Sequence, residues 1–318
     1  MTTKLEMNPS DWKLLGKGQA NAVYQYIGNT ETNSTPSHPE YKNKVLRLRL
    51  SVTTDLTHDI YNYIQLPQFD KLRKFIVPME LVYLGSNFNN TVQQREQQEV
   101  QLNCNDTYGL LMPNLFQGES KAHTLKLNKQ LSFHYTDDLN YLLLEFKPKW
   151  LYDLPYPDQH KCRNCALLGT KDERFVNCTL KLLKGDDGVR DWCRGIQNEI
   201  DLRAKEANGK EQLRLKNLKV FDKLFKILLD NQQVFKTLYE LQNKPGVNFH
   251  ETLKKLPILE ENVDEEFILF SMTLKDVSII IDLNSGDLKL IDLDKKNKDK
   301  FAKWSSQEKK LNPFYFKD

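Results

Sequence analysis

Asp276-Val277-Ser278-Ile279-Ile280-Ile281-Asp282-Leu283-Asn284-Ser285-Gly286-Asp287-Leu288-Lys289-Leu290-Ile291-Asp292-Leu293-Asp294 is the stretch on which the reading of this sequence turns. Its apolar runs, 278–283 and 288–293, have the length of strands, and the residues at 284–287 are turn formers. Joined this way they read as an antiparallel β-hairpin. With the turn centred near Ser285, pairing brings the start of the first strand beside the end of the second. Asp276 then comes close to Asp292 and Asp294. Crowded carboxylates repel one another unless a cation or a shared proton offsets the repulsion, and Mg2+ takes oxygen ligands of this kind. Turn capping is the plainer reading of each aspartate taken singly.

On the N-terminal side of the hairpin, Leu218, Phe221, Leu224, Phe225, Leu228 and Leu229 recur at helical spacing, followed by Phe235, Leu238 and Leu241. This predicts a long amphipathic helix, broken near Asp230-Asn231 and stopped before Pro245-Gly246. A second helix is expected over 264–274. The first third of the chain reads as strands at 14–18, 22–27 and 44–50, with a further strand at 142–146. The polar stretches 28–40 and 87–106 read as surface loops. The pattern therefore predicts an α+β chain of two lobes. A β-rich N-lobe spans 1–140, and a larger helical C-lobe with the small hairpin spans 141–318.

Two further strings carry cations or phosphate-binding geometry. Gly16-Lys17-Gly18-Gln19-Ala20-Asn21 lies between two strand segments, where glycines let backbone N–H groups approach phosphate oxygens. It follows the kinase pattern G-x-G-x-x-G-x-V with Asn21 in place of the third glycine, and Asn tolerates a positive φ there. A plain hairpin is the competing reading. On the next strand Arg47 and Arg49 share one face. Arg47 is the candidate phosphate contact, and Arg49 is expected to face solvent. In Leu144-Glu145-Phe146-Lys147-Pro148-Lys149-Trp150, Pro148 excludes helix and keeps Lys147 extended. Both lysines then point to one side and repel unless an anion joins them; two exposed lysines turned to water is the plainer reading.

Composition narrows the classes. The chain has 318 residues, 39% hydrophobic and 28% charged, with a net charge of +3. No stretch approaches the roughly 20 apolar residues of a membrane-spanning helix, and the first residues lack the apolar core of a secretory signal. An intracellular protein, nuclear or cytoplasmic, with no membrane partner is expected. Five cysteines argue against a disulfide framework. Cys162 and Cys165 form a C-x-x-C pair that could bind Zn2+ with His160, Cys178 or Cys193; buried or free thiols are the other reading. The aromatics are spaced for a core rather than interleaved with a basic stripe, which disfavours nucleic acid as a partner. No H-R-D, D-F-G or A-P-E string of a protein kinase is present.

Taken together and in order, Gly16–Asn21, Val45-Leu46-Arg47, Glu145-Phe146-Lys147-Pro148-Lys149, Asp276-Val277-Ser278-Ile279-Ile280 and Ile291-Asp292-Leu293 resemble the inositol-pentakisphosphate 2-kinase family. The family's E-I-K-P-K string appears with Phe146 in place of Ile. The resemblance implies a protein-kinase-like, inositol polyphosphate kinase fold. It also implies ATP and Mg2+ as cofactors, and inositol pentakisphosphate as the small-molecule substrate phosphorylated on its axial 2-hydroxyl. A monomer is expected. On the same resemblance, residues 16–21 and Arg47 hold the nucleotide. Asp276 is the base, Lys147 assists transfer, and Asp292 binds Mg2+ with Asp294 as a further ligand. Lys147, Lys149, Asn217, Lys296, Lys300, Trp304 and Arg163 contact substrate.

Some positions depart from the family. Lys300 stands for Arg and loses its bidentate fork. Trp304 stands for Tyr and lacks its hydroxyl. Cys162-Arg163-Asn164-Cys165 matches a C-R-x-C string whose following Met-His-Gln is here Ala166-Leu167-Leu168. The Cys/His metal cluster that some members carry between the long helix and the base aspartate has no cysteine in this chain. A kinase of another inositol polyphosphate and a non-catalytic phosphate-binding scaffold are the alternatives.

Overall fold

The computed structural model describes residues 7–28, 38–96, 99–116, 122–152, 161–171, 173–259 and 263–316. The chain divides into two compact units, Met1–Asp70 with Val77–Gln117, and Lys71–Ile76 with Gly118–Asp318.

In the first unit, β1 (Trp12–Lys17), β2 (Asn21–Tyr26) and β3 (Lys44–Arg49) precede α1 (Thr57–Ile64), β4 (Glu80–Tyr83), α2 (Phe88–Arg95) and β5 (Tyr108–Pro113). The strands form one antiparallel sheet in the order β1-β2-β3-β5-β4. Period-two alternation sends Ala22, Tyr24 and Tyr26 of β2 and Leu46 and Leu48 of β3 into a common core with Trp12, Phe88 and Val92. Gly109 lets β5 pass close over that core, because a Cβ there would stand 2.6 Å from Leu46 Cδ1. Residues 87–106, read as a surface loop, contain α2. Two buried apolar residues, Phe88 and Val92, are enough to seat two helical turns but too few to show a period in the sequence.

The second unit begins with β6 (His123–Asn128), β7 (Leu131–Tyr135) and β8 (Leu142–Phe146). Its helices are α3 (Arg163–Gly169), α4 (Gly185–Glu206), α5 (Gly209–Asn217), α6 (Phe221–Asp230), α7 (Gln232–Gln242), α8 (Phe249–Lys255) and α9 (Glu265–Leu274). Strands β9 (Ser278–Asp282) and β10 (Leu288–Ile291) follow, and then α10 (Phe301–Leu311). A boundary at 140 would cut this unit's sheet, whose order is β10-β9-β8-β7-β6. Strands β6 and β7 lie before that point, yet β6 pairs with β7 and β7 with β8. The expected hairpin is therefore the edge of a five-stranded sheet rather than an isolated ribbon. Ile279 and Ile281 of β9 are wholly buried, as is Leu290 of β10, and Leu290 N donates to Phe75 O at 2.7 Å.

The predicted long helix is present as α6 and α7, parted at Asn231, whose side chain donates to Ile227 O at 2.9 Å. Asp264 caps α9 by accepting from Phe267 N, the N-cap chemistry that makes its start readable. Among the described residues no helix is long and apolar enough to cross a membrane.

Candidate active site

Register delivers the site. Ser278 on β9 faces Ile291 on β10, so Asp276, two residues before Ser278, comes to the same sheet end as Asp292, one residue past Ile291. On the other side of β9, Phe146 faces Ile279, which brings Lys147 to that end as well. Lys147 Nζ lies 3.0 Å from Asp292 Oδ2 and 3.4 Å from the Asp276 carbonyl oxygen. Ser278 Oγ donates to the same Asp292 oxygen at 2.9 Å. Lys149 Nζ reaches Asp276 Oδ1 at 2.5 Å, and Lys296 Nζ reaches Oδ2 at 2.7 Å. Every oxygen of Asp276 thus faces a lysine.

Lys149 does not continue an extended run from Lys147. Its φ is +55°, and that of Asp292 is +64°. Left-handed backbone costs non-glycine residues on the order of 1–2 kcal/mol each, and strain of this kind concentrates at functional sites. The turn at Lys149 sends the two ammonium groups to different carboxylates, which answers their repulsion in a way the sequence did not suggest.

Burial alone would raise the Asp276 carboxyl, but the charges and hydrogen bonds of Lys149 and Lys296 outweigh it and hold the group well below the usual carboxylate range. For Lys149, burial prevails over the attraction of Asp276 and lowers the ammonium. For Lys147, burial also works against the charge, yet Asp292 more than compensates and raises it. The result is an ionised carboxylate able to accept a hydroxyl hydrogen bond, surrounded by ammonium groups that phosphate oxygens can engage.

Asp292 fits a hard cation. Its side chain is 48% exposed, and among the described residues none donates to its second oxygen. One or two carboxylates together with substrate phosphates is the usual Mg2+ arrangement. Asp276, Asp292 and Asp294 do not form a three-ligand metal cluster. Among the described residues, the one group of three or more ligating side chains close enough to share an ion is of cysteines. Lys147 bridges the Asp276 backbone carbonyl and the Asp292 carboxylate.

Sequence reasoning missed the residues that brace this end of the sheet. Gln242, wholly buried at the end of α7, donates to the carbonyls of Lys149 and Leu274 at 3.1 Å each. Its Oε1 accepts from Leu151 N at 2.9 Å. One side chain thereby fixes the backbone beside both Lys149 and Asp276. Thr179 Oγ1 donates to Pro148 O at 2.9 Å. Lys275 is 2% exposed, donates to Gln242 O at 2.7 Å and lies 3.7 Å over the Phe249 ring. Burial, aided by the charge of Arg163, lowers its pKa well below the usual lysine range. A glutamine ending an amphipathic helix gives no signal of such a role in the sequence.

Other expected residues lie elsewhere. Arg163 is buried, with Nε 2.6 Å from Glu308 Oε2 and its guanidinium 3.8 Å over the Trp150 ring. That guanidinium serves the interior and is not a substrate contact. Trp304 is 7% exposed in a core with Trp150, Phe249 and Phe301, so its indole packs rather than binds. Lys296 lies in irregular chain, Lys300 is exposed in the 3-10 turn Lys298–Lys300, and only Trp304 is within α10. Their spacing of four does not place all three on one helix face, because the helix begins only at Phe301. Asn217 is exposed at the end of α5.

In the first unit, Gly16, Lys17, Gly18, Gln19, Ala20 and Asn21 span the β1–β2 turn, closed by Gly18 N donating to Asn21 O at 2.8 Å. Asn21 has no positive φ. Its Oδ1 instead accepts from Arg49 Nη1 at 3.1 Å. Arg49 is 5% exposed and so does not face solvent, while Arg47 is half-buried. A Cβ on Gly16 would meet nothing within 4 Å, and neither glycine needs a positive φ. The fold itself makes no demand for glycine at 16. Of the cysteine expectations, Cys162, Cys165 and Cys178 come together, Cys193 stays apart and buried, and His160 lies outside the described residues.

An α+β chain whose paired strands present one carboxylate clasped by lysines and a second open to a cation is built for phosphoryl transfer of the kinase kind. Comparison with known proteins agrees: the profile of the inositol-pentakisphosphate 2-kinases matches residues 15–310. The chain is 25% identical to the inositol-pentakisphosphate 2-kinase of Debaryomyces hansenii, over 96% of this chain and 92% of that protein. Its identity to the protein of the same name from Yarrowia lipolytica is 26%, over 95% and 91%. For that from Saccharomyces cerevisiae it is 28%, over 58% of each. The chain belongs to the inositol-pentakisphosphate 2-kinase family.

Proposed function

We propose that this chain transfers the γ-phosphoryl group of ATP, with Mg2+, to the axial 2-hydroxyl of inositol 1,3,4,5,6-pentakisphosphate, giving the hexakisphosphate. The observation that carries the reading is Asp276, kept ionised by Lys149 and Lys296 in the same sheet end as Asp292 and Lys147. A pentakisphosphate bears roughly −8 to −10 charges at about −1.5 to −2 per phosphate. Apolar burial cannot recognise such a ligand, whereas lysines already desolvated and clustered can. When phosphates arrive, the ammonium groups that neutralise the aspartates have stronger anions to engage.

Phosphoryl transfer asks for positioning and charge neutralisation more than for a strong base. The ionised Asp276 carboxylate would orient the acceptor hydroxyl and take its proton late in the transfer. Asp292 would hold Mg2+, which when bound neutralises charge on the transferring phosphate. Ser278 and Lys147 fix one oxygen of that carboxylate. The nucleotide's phosphates fall to the amides of 16–21 and to Arg47. Nothing would stand within 4 Å of a Cβ at Gly16, which leaves its backbone open to a ligand.

Asp292→Asn keeps the shape and hydrogen bonds but weakens hard-cation binding. Turnover is expected to fall steeply and to recover partly as Mg2+ is raised, measured as ADP release against Mg2+ concentration. A variant with unchanged Mg2+ dependence would remove Asp292 from the metal's coordination. Lys147→Ala is expected to raise KM for the pentakisphosphate more than it lowers kcat, with a penalty that shrinks as salt screens the charges. An effect on kcat alone would place Lys147 on the transition state only. The reading as a whole is tested by ADP release from Mg-ATP. It should require inositol pentakisphosphate and should not be supported by the hexakisphosphate, whose 2-position is already occupied.

A further inference from the structure

Cys162, Cys165 and Cys178 take no part in the chemistry above. Their sulfur atoms all lie within 4.8 Å of one another. Cys162 Sγ and Cys178 Sγ are 3.5 Å apart, far beyond the roughly 2.05 Å of a disulfide. Thiolates sharing a tetrahedral zinc at about 2.3 Å each stand roughly 3.7–3.8 Å apart, close to what is seen. The backbone explains the gathering. Cys162 is the N-cap of α3, where its sulfur accepts from Cys165 N, and the C-x-x-C spacing returns Cys165 to the same side one turn on. Cys178 sits in extended backbone just before the 3-10 turn Thr179–Leu183.

Three thiols packed for apolar burial alone would resemble Cys193, which is wholly buried on α4. Cys165 and Cys178 are only half-buried, so solvent reaches the cluster and a metal ion has an entry path.

We propose that Cys162, Cys165 and Cys178 bind one zinc ion, with its fourth position taken by water or another small ligand. On binding, the thiols release their protons to solvent and coordinate as thiolates. Three soft sulfur donors select zinc over Mg2+ or Ca2+. The site would act as a clamp, because each cysteine segment braces the lysine string of the candidate active site. Thr179, next to Cys178, holds Pro148 O. Arg163, next to Cys162, stacks on Trp150. Zinc would fasten these two braces to each other across the chain between them.

The test is elemental analysis of the purified full chain from zinc-supplemented cells. About one equivalent of zinc is expected for a site of this ligand count. Cys178→Ser is expected to lose it, and Cys104→Ser, altered in a cysteine outside the cluster, to keep it. Should Cys178→Ser not fold, wild-type protein stripped by a chelator is titrated with Co2+, and thiolate-to-cobalt charge-transfer absorption with tetrahedral d–d bands is expected. Chelation is also expected to lower the melting temperature. Metal-free protein that gives no such bands, a Cys178→Ser variant that retains full zinc, or a Cys162–Cys178 disulfide in place of metal would each overturn the proposal.

Discussion

Asp276→Ala is expected to lower kcat by about 10²–10⁴-fold, the range a positioned acid–base group contributes, with little change in fold. The side chain is 43% exposed, and its partners Lys149 and Lys296 keep solvent access. These pairs are part-buried. Losing the carboxylate is therefore expected to cost more than the roughly 0–1 kcal/mol of an exposed pair and less than the roughly 3–5 kcal/mol of breaking a wholly buried one. The melting temperature should accordingly move by only a few degrees. Removing the carboxylate also frees two ammonium groups that phosphates would otherwise have to win from it. KM for the pentakisphosphate is therefore expected to stay level or fall while kcat collapses. A purified, folded variant with near-normal kcat would show that Asp276 is not at the reacting centre.

Glu308→Ala is expected to act in the opposite way, through stability. Glu308 is wholly buried on α10, and it accepts hydrogen bonds from Arg163, His250 and Tyr315. Taking the carboxylate away leaves the Arg163 guanidinium charged and buried without its counter-ion. Breaking a buried pair from one side costs about 3–5 kcal/mol, a large share of the roughly 5–15 kcal/mol that holds a domain together. Thermal melting should show a loss of that order, or no folded protein at all. A shift under about 1 kcal/mol would mean the network is not stabilising as built.

The same residue sets a pH dependence. Burial raises the Glu308 carboxyl, but His250 and Arg163 outweigh it and hold the group at about 2. A depressed carboxyl stabilises the folded state fully above its unfolded value, roughly 4.3. That contribution is lost as pH falls toward about 2. Melting of the wild-type chain should therefore weaken over this acid window, by an increment that Glu308→Ala lacks.

How far the sequence alone led depended on whether an element's signal was local. The hairpin was legible because β-branched runs and the Asn284-Ser285-Gly286-Asp287 turn specify pairing within one short segment, and its register followed from there. The break near Asp230-Asn231 and the Asp264 cap were legible for the same reason. Strands β6 and β7 were not, because what joins the β6-β7-β8 meander to the second unit's sheet is the pairing of β8 with β9, remote in sequence. Lys147, Lys149, Asp276 and Asp292 were named from motif and spacing and Lys296 from the family resemblance, and the structure gathers all five at one sheet end. Arg163 and Trp304 were misplaced because burial decides their roles, and a cation or an aromatic at a matching position looks the same in the sequence whether it faces ligand or core. Gln242 and Thr179 gave no signal, since each acts by holding a backbone carbonyl remote in sequence.

The account rests most directly on which hydroxyl receives phosphate. Inositol 1,3,4,5,6-pentakisphosphate incubated with this chain and γ-labelled Mg-ATP should yield a single hexakisphosphate, with the label on the 2-position when the product is resolved by phosphorus NMR. Absence of transfer from a folded, Mg2+-supplied chain, or label exchanged onto one of the equatorial positions, would contradict it.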